Sequence, residues 1–145
     1  MHQRQTLVQR LPGLSDVDGR ELAAIFAGGA VGALARAGIS QLFPASPTDW
    51  PWAVFTINII GAFILGYFVT QFQERLPLST YRRPFIGTGF CGAFTTFSTM
   101  QLELLNMVRH HEYRLAAGYA GASIVLGYLA LFTATALVRR IRVIR

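Results

Sequence analysis

Apolar and polar positions fall into long blocks along this chain rather than alternating. Residues 1–21 are polar, with Pro12, Gly13, Ser15, Asp16 and Asp18, and read as a flexible tail ending in no more than a short interfacial helix. Four apolar blocks follow, Leu22–Phe43, Trp52–Phe72, Phe85–Val108 and Leu115–Val138, each 21 to 24 residues long. About 20 helical residues cross the hydrocarbon core of a bilayer, so each block predicts one transmembrane helix. The connections are short, and Trp50 and Trp52 at the entrance of the second block fit an aromatic anchor at headgroup level. A cleaved signal peptide competes for the first block, since Ala33–Ala35 offers an A-x-A site, but the preceding tail is long and carries acids.

Composition agrees with this pattern. At 52% hydrophobic and 14% charged, the chain has too little charge to cover the surface of a soluble domain of 145 residues. All 13 basic residues are arginine, gathered in the tails and connections, including the basic segment 139–145. That placement suits anionic lipid headgroups and argues against a nucleic-acid partner. Basic residues accumulate on the cytoplasmic side, and ten of the arginines share the side of the two termini and the second connection. Arg36, Arg109 and Arg114 lie on the other, so both termini are predicted to be cytoplasmic, in a multi-pass protein of the plasma membrane. The single cysteine, Cys91, supports neither a disulfide framework nor a cysteine metal site within one chain.

A literal G-x-G-x-x-G stands at Gly87, Gly89 and Gly92. A dinucleotide site needs a strand before that motif and a helix after it in a soluble βαβ unit, and an apolar span provides neither. Instead, three glycines, Cys91 and five Ser or Thr crowd Gly87–Thr99, which predicts a third helix interrupted at membrane depth. The alternative is a continuous helix with small residues for close packing.

Asn58 is an amide inside a run that is apolar except for Thr56, and serves either as packing glue or as lining of a pathway, where its NH₂ can donate to an anion. Tyr119, Ser123 and Gly127 recur every four residues and share one helical face, as a polar track or, with Gly118 and Ala122, a packing seam. Gly28 and Gly32 form a similar seam in the first block. Glu103 and Arg36 are ionisable residues within the spans, which makes them functional candidates, against a reading as snorkelling or interfacial groups. His110 and His111, beside Glu112, read as exposed loop residues rather than metal ligands. No nucleophile, base and orienting acid cluster at usable spacing, so no enzyme is expected.

The strings GGAVGALAR (Gly28–Arg36), TINIIGAFILGY around Asn58 and GFCGAFTTFST (Gly89–Thr99) together resemble the signature of the Fluc/CrcB fluoride channels, over essentially the whole chain beyond the N-terminal tail. The resemblance implies an all-α integral membrane fold of four transmembrane helices with a broken third helix, assembled as an antiparallel, dual-topology dimer with two narrow fluoride pores. It implies a structural Na⁺ at the dimer centre, held by the backbone carbonyls of Gly92 and Thr95 from each subunit; oxygen ligands suit that hard cation. Asn58 would line the pore, Phe97 would present its positive ring edge to fluoride, Tyr119 and Ser123 would begin a polar track, and Thr96, Thr99 and Glu103 would continue the lining. Arg36 is expected to shape the entrance or the subunit packing.

Two residues depart from the family pattern. The second phenylalanine of the family's pair falls at Met100, and a further hydroxyl falls at Gly127. A thioether has no positive edge and glycine has no donor, which puts one of the two pores in doubt. The arginine bias also favours one orientation, so the partner is either an inverted copy or a separately encoded, oppositely oriented relative. Two other functions fit a chain of this shape. One is a small multidrug exporter exchanging protons for cations at Glu103; the other is a membrane subunit with no pathway, which would tolerate Asn58→Asp or Phe97→Ile.

Overall fold

The computed structural model describes residues 18–74 and 81–140. The predicted tails and second connection lie largely outside these residues. Every regular element is helical, with no strand among the described residues.

Helix α1 (Gly19–Leu42) opens on Asp18, whose carboxylate accepts from the Arg20 N–H at 2.9 Å, an N-cap that satisfies one of the free amides of the first turn. It begins three residues earlier than the apolar block, because the cap and not the hydrophobic boundary sets its start. Pro44 and Pro51 bracket the loop to α2 (Trp52–Glu74). The third block is divided. A π-helix, Pro84–Cys91, runs into the single turn α3 (Gly92–Phe94); Thr95 and Thr96 are extended; and α4 (Phe97–Arg109) resumes. Helix α5 (Tyr113–Arg140) follows a tight turn. There the His111 and Glu112 amides donate back to the Val108 and Met107 carbonyls, a Schellman closure that places His111 at φ 64°.

α1, α2 and α5 are each long and apolar enough to cross a membrane. Their contacts fix direction. Thr70 meets Thr135 and Glu74 meets Arg139, so α2 and α5 run parallel. Gly28 lies on Phe85, Gly32 on Phe90 and Arg36 reaches Ala93, so α1 runs parallel to the Pro84–Phe94 segment. α4 returns antiparallel onto α5.

The α1 seam is a backbone-to-backbone contact. A Cβ at Gly28 or Gly32 would collide with the carbonyl of Phe85 or Phe90, and one at Gly89 would stand 2.5 Å from the Ile25 carbonyl. Gly28, Gly32 and Gly89 are therefore packing residues, as small residues are between membrane helices. Gly118 does not share that role: its face of α5 is exposed, with only the Trp50 ring nearby. The interior is small, centred on Ile57, Met107, Tyr119 and Val138, whereas Phe26, Leu34 and Ile124 are more than 70% exposed. A surface this apolar matches a lipid solvent, and the chain is an integral membrane protein.

Candidate ion pathway at a helix break

The break at Thr95–Thr96 frees backbone groups that a continuous helix would pair, and at membrane depth each needs another partner. Thr95 closes the upstream turn, its N–H and hydroxyl both donating to the Cys91 carbonyl, at 3.1 and 2.9 Å. The Thr96 N–H, which would otherwise donate to the Gly92 carbonyl, donates instead to Asn58 Oδ1 at 2.9 Å. Asn58 Nδ2 returns a bond to the Thr96 carbonyl at 3.1 Å. The Asn58 amide thus stands in for a peptide unit, clamping both polar groups of a buried residue. Glue was one of the two sequence readings of Asn58, and the structure shows that contact. The NH₂ keeps one further hydrogen to donate.

Thr96 also caps the next helix. Its hydroxyl accepts from the Thr99 N–H at 3.2 Å and pairs with the Thr99 hydroxyl at 2.9 Å. Upstream, Arg36 Nε donates to the Ala93 carbonyl at 3.0 Å, so α1 and α2 each send one polar side chain to the break. Gly61 makes room for it, since a Cβ there would run into the Thr95 side chain.

An open groove of about 370 Å³ lies along this region, lined by Asn58, Gly61, Leu65, Gly92, Thr95, Thr96 and Phe97 among others. Phe97 is 71% exposed beside it. A Cβ at Gly92 would meet nothing within 4 Å.

Tyr119, Glu103 and Met100 form a separate group between α4 and α5. Tyr119 is fully buried, and its hydroxyl donates to Glu103 Oε2 at 2.7 Å. Its ring meets those of Trp50 and Phe55 at centroid distances of 5.6 and 6.2 Å. Met100 packs against the Met107–Ala116–Tyr119 cluster. One turn beyond Tyr119, the Ser123 hydroxyl is buried with no hydrogen-bond partner among the described residues. Gly127 faces the Ile59 side chain across ordinary contact distance, so a larger residue there would not clash. His110 and His111 are exposed and bond locally, to the Asn106 carbonyl and the Tyr113 hydroxyl, and no group of three metal-ligating side chains occurs among the described residues.

Sequence reasoning missed three contacts: the Arg36–Ala93 bond, the Asn58–Thr96 pairing and the Tyr119–Glu103 bond. The last had a signal. Glu103 and Tyr119 lie eight residues either side of His111, the apex of the α4–α5 turn, and an antiparallel hairpin brings such positions together.

A family model described as CrcB-like protein, Camphor Resistance (CrcB), matches residues 23–135. The chain belongs to the CrcB family. The match takes in most of α1, all of α2, the break and most of α5. This CrcB chain is 62% identical over 128 residues, 88% of its own length and 97% of the relative's, to fluoride-specific ion channel FluC 1 of Mycolicibacterium paratuberculosis. It is 59% identical over the same share to FluC 1 of Mycobacterium bovis. It is also 40% identical to the fluoride-specific ion channel FluC of Thermococcus onnurineus, over 86% of the chain and the whole of that protein. These relatives are named as channels and not as enzymes.

Proposed function

We propose that this chain is a subunit of a passive, fluoride-selective channel of the plasma membrane, which lets fluoride leave the cytoplasm and so limits its toxicity. The observation that carries the reading is the match, along nearly the full length of both chains, to a relative named as a fluoride-specific channel. The parallel pairing of α1 with the Pro84–Phe94 segment and of α2 with α5 supports four crossings, the third broken at Thr95–Thr96, with both termini on one side; the arginine bias favours the cytoplasm as that side.

Fluoride is small and strongly hydrated, so a selective pore replaces its water with close neutral donors and avoids a full positive charge that would trap it. The spare hydrogen of Asn58, the hydroxyls of Thr96 and Thr99, and the exposed Phe97 ring lie together at the break and suit that task. The Ser123 hydroxyl, without a hydrogen-bond partner among the described residues and one turn from the Tyr119–Glu103 pair, is a donor awaiting an acceptor. Met100 packs against the cluster that holds Tyr119, where it lines the passage without offering a positive edge.

Two open grooves flank the Pro84–Phe94 segment and share Leu65, Gly87 and Cys91, a face that an antiparallel second copy would cover. On that face the carbonyls of Gly92 and Thr95 are candidates for a structural Na⁺. The donor set fits, because Thr96 N–H turns away from Gly92 and Gly92 has open space before it. The bound cation would neutralise carbonyl dipoles and tie the subunits together.

The arginine bias, ten against three, favours a second reading of the assembly, with an oppositely oriented, separately encoded relative as partner. Site-directed labelling of single-cysteine variants in cells decides between them. Comparable labelling from both sides supports the inverted homodimer; labelling from one side supports the relative.

A further inference from the structure

The geometry points to Arg36 as the positioning residue for the upstream side of the helix break, acting on the backbone and not on the permeating ion. The inference rests on the functional reading of the break given above, and extends it to a residue that reading leaves without a defined task.

Three observations converge. First, α1 is fixed against the Pro84–Phe94 segment by contacts with no slack, since Gly28, Gly32 and Gly89 all lie where a Cβ would strike backbone. Arg36 stands one turn beyond Gly32 on the same side of α1, so this docking delivers its side chain to the end of α3. Second, the Ala93 carbonyl is a group the break orphans. Its helical donor would be the Phe97 N–H, which lies beyond the extended residues Thr95 and Thr96. Arg36 Nε fills that vacancy at 3.0 Å, across 57 residues of sequence, and a cation at a helix C-terminus is favoured by the peptide dipoles as well. Third, the donor is half-buried and donates through Nε, a geometry a planar guanidinium offers and a lysine ammonium does not.

The break is therefore held from both sides: Arg36 from α1 on Ala93, and Asn58 from α2 on Thr96. Between the two anchors lies Thr95, with the Gly92 carbonyl one residue upstream of Ala93. Loosening the Arg36 anchor lets the last turn of the segment fray, and the Gly92 and Thr95 carbonyls lose their fixed positions.

The test is amide hydrogen exchange on the full-length purified protein, comparing wild type with Arg36→Gln and Arg36→Lys, and with Arg109→Gln as an exposed control. In Arg36→Gln, exchange in peptides covering 91–99 is expected to quicken by about tenfold, the loss of one charge-assisted hydrogen bond, while 84–90 and α5 keep wild-type protection. Arg36→Lys is expected to fall between the two, and Arg109→Gln to match wild type. Unchanged exchange over 91–99 in Arg36→Gln overturns the proposal, and so does faster exchange spread evenly through α1 and α5. If Arg36→Gln does not yield folded protein, Arg36→Lys decides: a local rise over 91–99 supports the anchor, and wild-type exchange overturns it. This readout needs no fluoride flux, so failure of the channel reading shows separately, as a wild-type protein that passes no fluoride.

Discussion

Replacing Asn58 with alanine removes both hydrogen bonds to the Thr96 backbone, the N–H bond at 2.9 Å and the carbonyl bond at 3.1 Å. Thr96 is 8% exposed, and its amide has no helical acceptor at Gly92 while the break holds its shape. An unsatisfied buried polar group costs about 1–3 kcal/mol, so two orphaned groups imply a loss of roughly 2–6 kcal/mol. The neighbouring groove is open enough to admit water to Asn58, which moves the expectation to the lower half, about 2–3 kcal/mol. That corresponds to a change of roughly thirtyfold to more than a hundredfold in the unfolding equilibrium. The assay is reversible unfolding in mixed micelles, followed by the signal of the tryptophans. Ser98→Ala serves as the control, since Ser98 is exposed and its 3.4 Å contact with the Thr96 hydroxyl is long; it should change stability by less than about 0.5 kcal/mol. An Asn58→Ala protein as stable as wild type would refute the clamp and leave Asn58 a pore donor alone.

Further outcomes follow from the same contacts. Gly32→Ala drives a Cβ into the Phe90 carbonyl and should destabilise by about 1–3 kcal/mol, whereas Gly121→Ala, which meets nothing within 4 Å, should be neutral or slightly stabilising in the same unfolding assay. Tyr119→Phe keeps the buried ring but removes the donor to Glu103, and should lower stability by about 1.5–3 kcal/mol and slow fluoride efflux. Glu103→Gln still accepts from Tyr119; it should leave fluoride efflux largely intact, whereas a proton-coupled exporter working through Glu103 would lose all transport. His111→Gly relieves a non-glycine residue at φ 64° and should raise stability by about 1 kcal/mol, read as a higher unfolding midpoint.

The spans were legible because lipid imposes one requirement, a sufficient run of apolar residues, and α1, α2 and α5 differ from their blocks only by a few residues at the ends. Those differences come from capping and polar extension, such as Asp18 on Arg20 and Glu74 with Arg139, which hydropathy does not register. The crowd of glycine and hydroxyl residues at Gly87–Thr99 marked the interruption, but its position was set by long-range partners. The chain stays helical through Gly87, Gly89 and Gly92 and opens only at Thr95–Thr96, where Asn58 and Arg36 supply replacement bonds from 38 and 57 residues away. The glycines themselves divided by contact: Gly89 is required by the approach of α1, while Gly87 and Gly92 face open space. Nothing in local sequence distinguishes them, because the distinction lies in what packs opposite.

The most direct test of the central claim is fluoride efflux from liposomes containing the purified chain alone, followed with a fluoride-selective electrode and with chloride as the paired ion. Rapid loss of fluoride with chloride retained is expected, and sharp slowing in Phe97→Ile. Chloride release at a comparable rate, or no fluoride release from folded protein either alone or reconstituted with an oppositely oriented relative, would contradict that claim.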